Sequence, residues 1–249
     1  MRKNLVAANW KMHGSRSENS RLLQAVKQDL SSIACEVLIC PPSIYLEQLE
    51  KELAGTNIAL GAQNAYPKQS GAFTGEVSFA MLTEFSCTHV IVGHSERREL
   101  FAESDDFVAE KFVAAIEAGL SPILCVGETK SQRERDETTS VILAQLKAVL
   151  SKAGIAAFAN ALVAYEPVWA IGTGLTASPQ QAQQVHAVIR SFLAEQDGDI
   201  ADKLSILYGG SVKGSNAAEL FRQQDIDGGL VGGASLNAEE FITICRAFD

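Results

Sequence analysis

The sequence predicts a single (β/α)8 barrel, and two observations carry that prediction. Eight short apolar runs of strand composition follow one another along the 249-residue chain, with helical patterns between them. The runs are almost continuously apolar rather than alternating, which suits parallel strands covered on both faces. A doubly wound open sheet competes for the same alternation. It would usually carry a glycine-rich turn after its first strand, and Asn9-Trp10-Lys11 stands there instead.

The expected strands are Leu5–Ala8, Val37–Cys40, Ile58–Ala62, His89–Val92, Ile123–Val126, Leu162–Tyr165, Ser205–Tyr208 and Gly228–Val231. Between them lie stripes of helical period: Val108/Phe112/Ala115/Ile116 before Gly119, Ile142/Leu146/Val149/Leu150, Val185/Ile189/Phe192/Leu193 and Phe241/Ile244/Cys245/Phe248. No linker, low-complexity segment or repeat interrupts the series, so residues 1–249 read as one domain.

In such a barrel the residues that follow each strand gather on one face and carry the chemistry. After the first strand comes Lys11, next to Asn9. After the fourth come His94, Ser95, Glu96, Arg97 and Arg98, a dense set of polar groups. After the sixth, Glu166 is fixed at a strand end by Pro167, which forces its neighbour towards extended geometry and cannot continue a ladder. The apolar Val168–Ile171 and the glycines Gly172 and Gly174 then read as a lid, and Ser178-Pro179-Gln180-Gln181 as a capped helix start. After the last two strands, Gly209-Gly210-Ser211 and Gly232-Gly233 offer backbone N–H groups to an anion, the phosphate placement of this fold.

The bulk properties exclude other classes. A net charge of −9 argues against nucleic-acid and anionic-membrane partners. No apolar stretch approaches the roughly 20 residues that span a bilayer. The run after Arg2-Lys3 ends at Asn9, too short for a signal peptide. Five scattered cysteines without a C-x-x-C pair suggest reduced thiols and a cytoplasmic location. No His/Cys cluster has metal-ligand spacing, and no cofactor is expected.

The stretch Ala164–Thr176, AYEPVWAIGTGLT, resembles the catalytic-loop signature of the triosephosphate isomerases, and the resemblance recurs along essentially the whole chain. It implies a TIM barrel that interconverts dihydroxyacetone phosphate and D-glyceraldehyde 3-phosphate through an enediolate. Glu166 would be the base, His94 the electrophile and Lys11 the one cation in the pocket, positioned by Asn9 and contacted by Glu96. Gly172, Ser211, Gly232 and Gly233 would hold the phosphate, and Ile171 and Leu230 would press on Glu166. The long connection from Asn64 to Glu76 resembles the family's dimer loop, with Phe73 and Thr74 near its tip and Glu76 able to pair with Arg97 of a second subunit. His13, Ala102, Leu175 and Asn237 depart from the common pattern. The rival readings are another phosphate-binding barrel enzyme, such as a sugar-phosphate epimerase or an indole-pathway enzyme, and a non-catalytic barrel that binds triose phosphate. The first would need other groups in place of His94 and the Glu166–Pro167–Trp169 stretch.

Overall fold

The computed structural model describes residues 2–29, 33–171 and 176–249. Eight parallel strands close on themselves in sequence order: β1 Leu5–Asn9, β2 Glu36–Cys40, β3 Ile58–Ala62, β4 His89–Val92, β5 Ser121–Val126, β6 Leu162–Tyr165, β7 Ile206–Tyr208 and β8 Gly228–Val231. The seam joins first strand to last, with Leu5 opposite Gly228 and Ala8 opposite Val231. The closure removes every sheet edge. Around it run α1 Arg16–Asp29, α2 Leu46–Leu53, α3 Phe79–Thr83, α4 Ser95–Leu100, α5 Asp105–Glu117, α6 Lys130–Glu134, α7 Thr138–Ala153, α8 Pro179–Ala194, α9 Gly198–Lys203, α10 Gly214–Phe221 and α11 Ala238–Cys245.

Four strands match the expected limits residue for residue, and the other four differ at their ends. β1 runs on through Asn9, which stays in register with Cys40. β5 begins at Ser121, whose N–H turns to Thr88 on the β4 side, so the Pro122 nitrogen faces the β6 side, where pairing starts only at Ile123. β7 begins at Ile206, and Ser205 before it turns its hydroxyl to the carbonyl of Lys3 at 2.8 Å.

The apolar runs are explained by two separate cores. Leu5, Ala7, Leu38, Cys40, Ile91, Ile123, Cys125, Leu162, Ala164, Leu207 and Leu230 fill the inside of the barrel. Their strand neighbours, among them Val6, Ala8, Ile39, Val90, Val92, Leu124 and Val163, face out against the helices. Successive side chains point to opposite faces, so both sets must be apolar.

The N-terminal end of the barrel is held by charge. Arg190 on α8 pairs with Asp225 and Asp227 at 2.7 Å each and donates to the carbonyls of Ala201 and Leu204. Asp227 also receives Arg2 at 2.6 Å. These contacts fix the roots of β7 and β8 on the face opposite the polar cluster.

Local sequence sets the helix starts as expected. Ser178 accepts from the backbone of Gln181, whose side chain answers to the backbone of Ser178, with Pro179 in the first turn.

Candidate active site

The strand ends bring the predicted residues to one cavity of about 280 Å³. Asn9, Lys11, His94, Glu166, Ile171, Ser211, Leu230, Gly232 and Gly233 all line it. Gly172 lies outside the described residues, as do Thr173, Gly174 and Leu175 of the expected hinge.

Glu166 follows β6 directly, and its backbone N–H donates to Val126 at 2.8 Å, continuing the sheet by one bond. Two glycines make room for it. A Cβ on Gly127 would lie 1.8 Å from the Glu166 carbonyl oxygen, and one on Gly209 would lie 2.9 Å from its Cγ. The segments that leave β5 and β7 therefore approach the end of β6 more closely than any side chain would permit.

The carboxylate is almost fully buried, at 2% exposure. Oε1 lies 2.9 Å from His94 Nε2, and Oε2 accepts the backbone N–H of Ser95 at 2.8 Å. Burial alone would raise its pKa. The adjacent imidazole, the Ser95 N–H and the nearby Lys11 outweigh that and hold it below the usual carboxylate value.

His94 caps the N-terminus of α4, and its Nδ1 accepts the Glu96 N–H at 3.2 Å. An imidazolium has no lone pair at Nδ1, so this bond selects the neutral tautomer with its proton on Nε2. Burial pushes the same way, but the carboxylates of Glu166 and Glu96 outweigh it and hold the imidazole pKa above its ordinary value. The larger part of that upward pull comes from Glu166 and lasts only while it rests against the ring. Once the carboxylate moves to a substrate, burial and the helix-start N–H both favour neutral imidazole.

Lys11 adopts φ of 53°, a left-handed conformation unusual for a side-chain-bearing residue. It is held there from both sides: its N–H donates to Asn9 Oδ1 at 3.1 Å, and its carbonyl accepts from Gln63 Nε2 at 2.9 Å. Its ammonium pairs with Glu96. Across the cavity, Gly232 stands against the lysine stem, where a Cβ would be 3.2 Å from Cε.

One expectation is corrected. Lys11 is not the only lysine at the cavity, because Lys213 lines it too, from the exposed position just before α10. The sequence signal was present, since Lys213 follows the Gly209-Gly210-Ser211 turn by two residues. Gln63 and Gly127 also went unread. Their roles depend on backbone placement that no local pattern announces.

Phe73, Thr74, Glu76 and Arg97 lie away from the cavity. The 64–76 connection is anchored at its base by Lys111 donating to Asn64 Oδ1 at 2.6 Å and by the Tyr66–Ser78 bridge. Phe73 packs on Tyr66 with ring centres 4.5 Å apart and remains 38% exposed. Arg97 is engaged within its own chain by Glu103 at 2.6 Å. Among the described residues, no group of three or more His, Cys, Asp or Glu could hold a metal, and no helix is long and apolar enough to cross a membrane.

A closed (β/α)8 barrel with a buried carboxylate against an imidazole, a lysine at positive φ and two glycine turns lining one cavity defines a phosphate-binding barrel enzyme of the acid–base kind. The family model of triosephosphate isomerase matches residues 4–248, and the chain belongs to that family. It is 59% identical over 247 residues to the triosephosphate isomerase of Dechloromonas aromatica and 60% identical over 247 residues to that of Thiobacillus denitrificans, with 99% of each chain covered in both. The enzyme of Nitrosomonas europaea is 55% identical over 249 residues, covering 99% of this chain and 98% of its own.

Proposed function

We propose that this chain interconverts dihydroxyacetone phosphate and D-glyceraldehyde 3-phosphate, with Glu166 as base, His94 as electrophile and Lys11 as electrostatic support. The observation that carries these roles is the convergence of all three on a cavity that the turns at 209–213 and 232–234 also line. Backbone N–H groups of Ser211, Gly232 and Gly233 would bind the phosphate without added charge, which suits a protein of net charge −9. Gly172 is assigned to the same task by family resemblance alone.

The chemistry follows from the geometry. Glu166 leaves His94 and Ser95, takes a proton from one substrate carbon and returns it to the neighbouring one. Between these steps the substrate is an enediolate, whose oxygens need donors fixed in advance. Nε2–H of His94 is such a donor, and the Lys11 ammonium supplies positive potential. Moving away from the Ser95 N–H and the imidazole strips Glu166 of the partners that depress its pKa, and Ile171 and Leu230 offer it an apolar setting instead. Both changes make the carboxylate a stronger base.

Two coarser readings accompany this one. The five free thiols, four of them buried, support a reducing compartment such as the cytoplasm. A homodimer is supported by the apolar side chains left in water beside Lys11 and His94: Met12 is 94% exposed, Leu100 71% and Phe101 64%. They line a depression of about 620 Å³ together with Glu76, Glu96 and Arg97, and a second subunit carrying Phe73 and Thr74 would fill it.

A coupled assay tests the main assignment. Glyceraldehyde 3-phosphate should give dihydroxyacetone phosphate with purified wild type. Absence of turnover, or faster epimerisation of ribulose 5-phosphate offered in a parallel assay, would overturn it.

A further inference from the structure

Catalysis requires Glu166 to be set down in one place, and its backbone leads straight into the first half of the expected lid. Pro167–Ile171 is a stiff unit: Pro167 fixes its own φ, and the turn Val168–Ala170 is closed by Ala170 N–H to the Pro167 carbonyl at 2.8 Å and Ile171 N–H to that of Val168 at 3.2 Å. Trp169 projects from this unit onto a cluster behind the site. Its Nε1–H donates to Glu128 Oε1 at 2.9 Å, and the guanidinium of Arg133 lies over its ring at 4.4 Å from the centroid.

The two contacts are linked. Arg133, on α6, also pairs with Glu128 Oε1 at 3.1 Å, and the same oxygen accepts from Tyr165 O–H at 3.2 Å. Glu128 is fully buried, and its backbone carbonyl accepts the Val168 N–H at 3.2 Å. A planar cation over the ring face adds a second restraint on the indole, and the same cation pairs with the carboxylate oxygen that accepts the indole N–H.

We propose that Arg133 is a positioning residue for the isomerisation: by stacking on Trp169 and pairing with Glu128 it fixes the 167–171 unit, and through it the placement of Glu166. The proposal rests on the assignment of Glu166 as the base. Arg133 touches neither the cavity nor the reacting atoms. Its removal therefore acts on turnover and not on ground-state phosphate binding.

Two variants test it. Arg133→Met keeps an apolar stem and loses the charge and the planar face. Arg133→Lys keeps the charge and loses the face. The expected result for Arg133→Met is a roughly tenfold fall in kcat with KM within about twofold of wild type, as a small displacement of a reacting group produces. Trp169 emission should shift, and its response to saturating 2-phosphoglycolate, a stable two-carbon mimic of the enediolate phosphate, should shrink. Arg133→Lys should recover less than half of the lost kcat. A kcat within twofold of wild type in Arg133→Met overturns the proposal, and so does a loss borne by KM without an emission change. Full rescue by Arg133→Lys, or wild-type kcat in that variant should Arg133→Met fail to fold, overturns the stacking role. Glu166→Asp measured alongside separates the two layers, since near-normal turnover there would remove the base assignment whatever Arg133 does.

Discussion

Ser95 donates its backbone N–H to Oε2 of Glu166 at 2.8 Å, so the start of α4 holds the base of the reaction by one oxygen while His94 holds the other. The carboxylate is parked. To work it must exchange both partners for a substrate carbon, and the reach of its side chain decides whether it arrives. Glu166→Asp shortens that reach by about an ångström and should lower kcat by about 100-fold with an unchanged circular dichroism spectrum. Near-normal kcat would take Glu166 out of the base role.

Two lysines at one cavity should behave differently. Lys11 is locked at positive φ by Asn9 and Gln63 and its ammonium is held by Glu96, whereas Lys213 stands exposed at the rim. Lys11→Ala is expected to lower kcat/KM by at least about 100-fold and Lys213→Ala by less than about threefold, from the price of losing a fixed charge against a solvated one. Lys11→Arg should rescue poorly, because a planar fork does not replace a compact point charge. Equal effects at the two positions in steady-state kinetics would contradict the assignment.

Stability should fall on the acid side through a residue far from the chemistry. His186 on α8 is fully buried; Nδ1 lies 3.0 Å from the Asp225 carbonyl, so it carries the proton and donates it. Burial pushes its pKa down to about 4 from an ordinary 6.5. The unfolded chain then binds a proton below 6.5 that the folded chain refuses, so stability is complete above that pH and is lost as pH falls towards 4. The loss is about 3 kcal/mol. Urea unfolding at pH 7.5 and at pH 4.5 should show a smaller difference for His186→Gln than for wild type. Equal differences would show that the ring is protonated in the fold without cost.

The 64–76 connection offers a joint test of assembly and activity. Replacing Phe73 and Thr74 by Ser-Gly should yield monomers at micromolar concentration together with reduced kcat, because the depression beside Lys11 and His94 would lose its occupant. Wild type sedimenting as a monomer would defeat the dimer, and a fully active monomeric variant would defeat its link to the site.

What the sequence disclosed follows from how far each signal travels. Strands covered on both faces announce themselves as apolar runs, so four of eight were bounded to the residue, and Pro167 told where Glu166 had to stand. Ser178 and Gln181 meet within one helical turn, and their box was equally plain. Gln63 holding Lys11, Gly127 yielding to Glu166 and Arg133 stacking on Trp169 are different in kind. Each joins segments about 35 to 50 residues apart, and each residue alone reads as an ordinary polar, turn or surface position. Lys213 was missed for a nearer reason: a lysine before a helix normally dissolves in solvent, and its place at the rim depends on how β7 tilts.

The seam between Leu5 and Gly228 has a consequence for how the protein is made. Lys11 is synthesised long before Gly232 and Gly233, and only the pairing of first and last strands brings them to one cavity. A nascent chain therefore carries its lysine, its histidine and its glutamate before the turn that completes the cavity has been made. The enzyme cannot begin to work as a fragment, and a truncation that removes β8 leaves an open curl of seven strands whose first member exposes a bare edge to every other unfinished chain nearby.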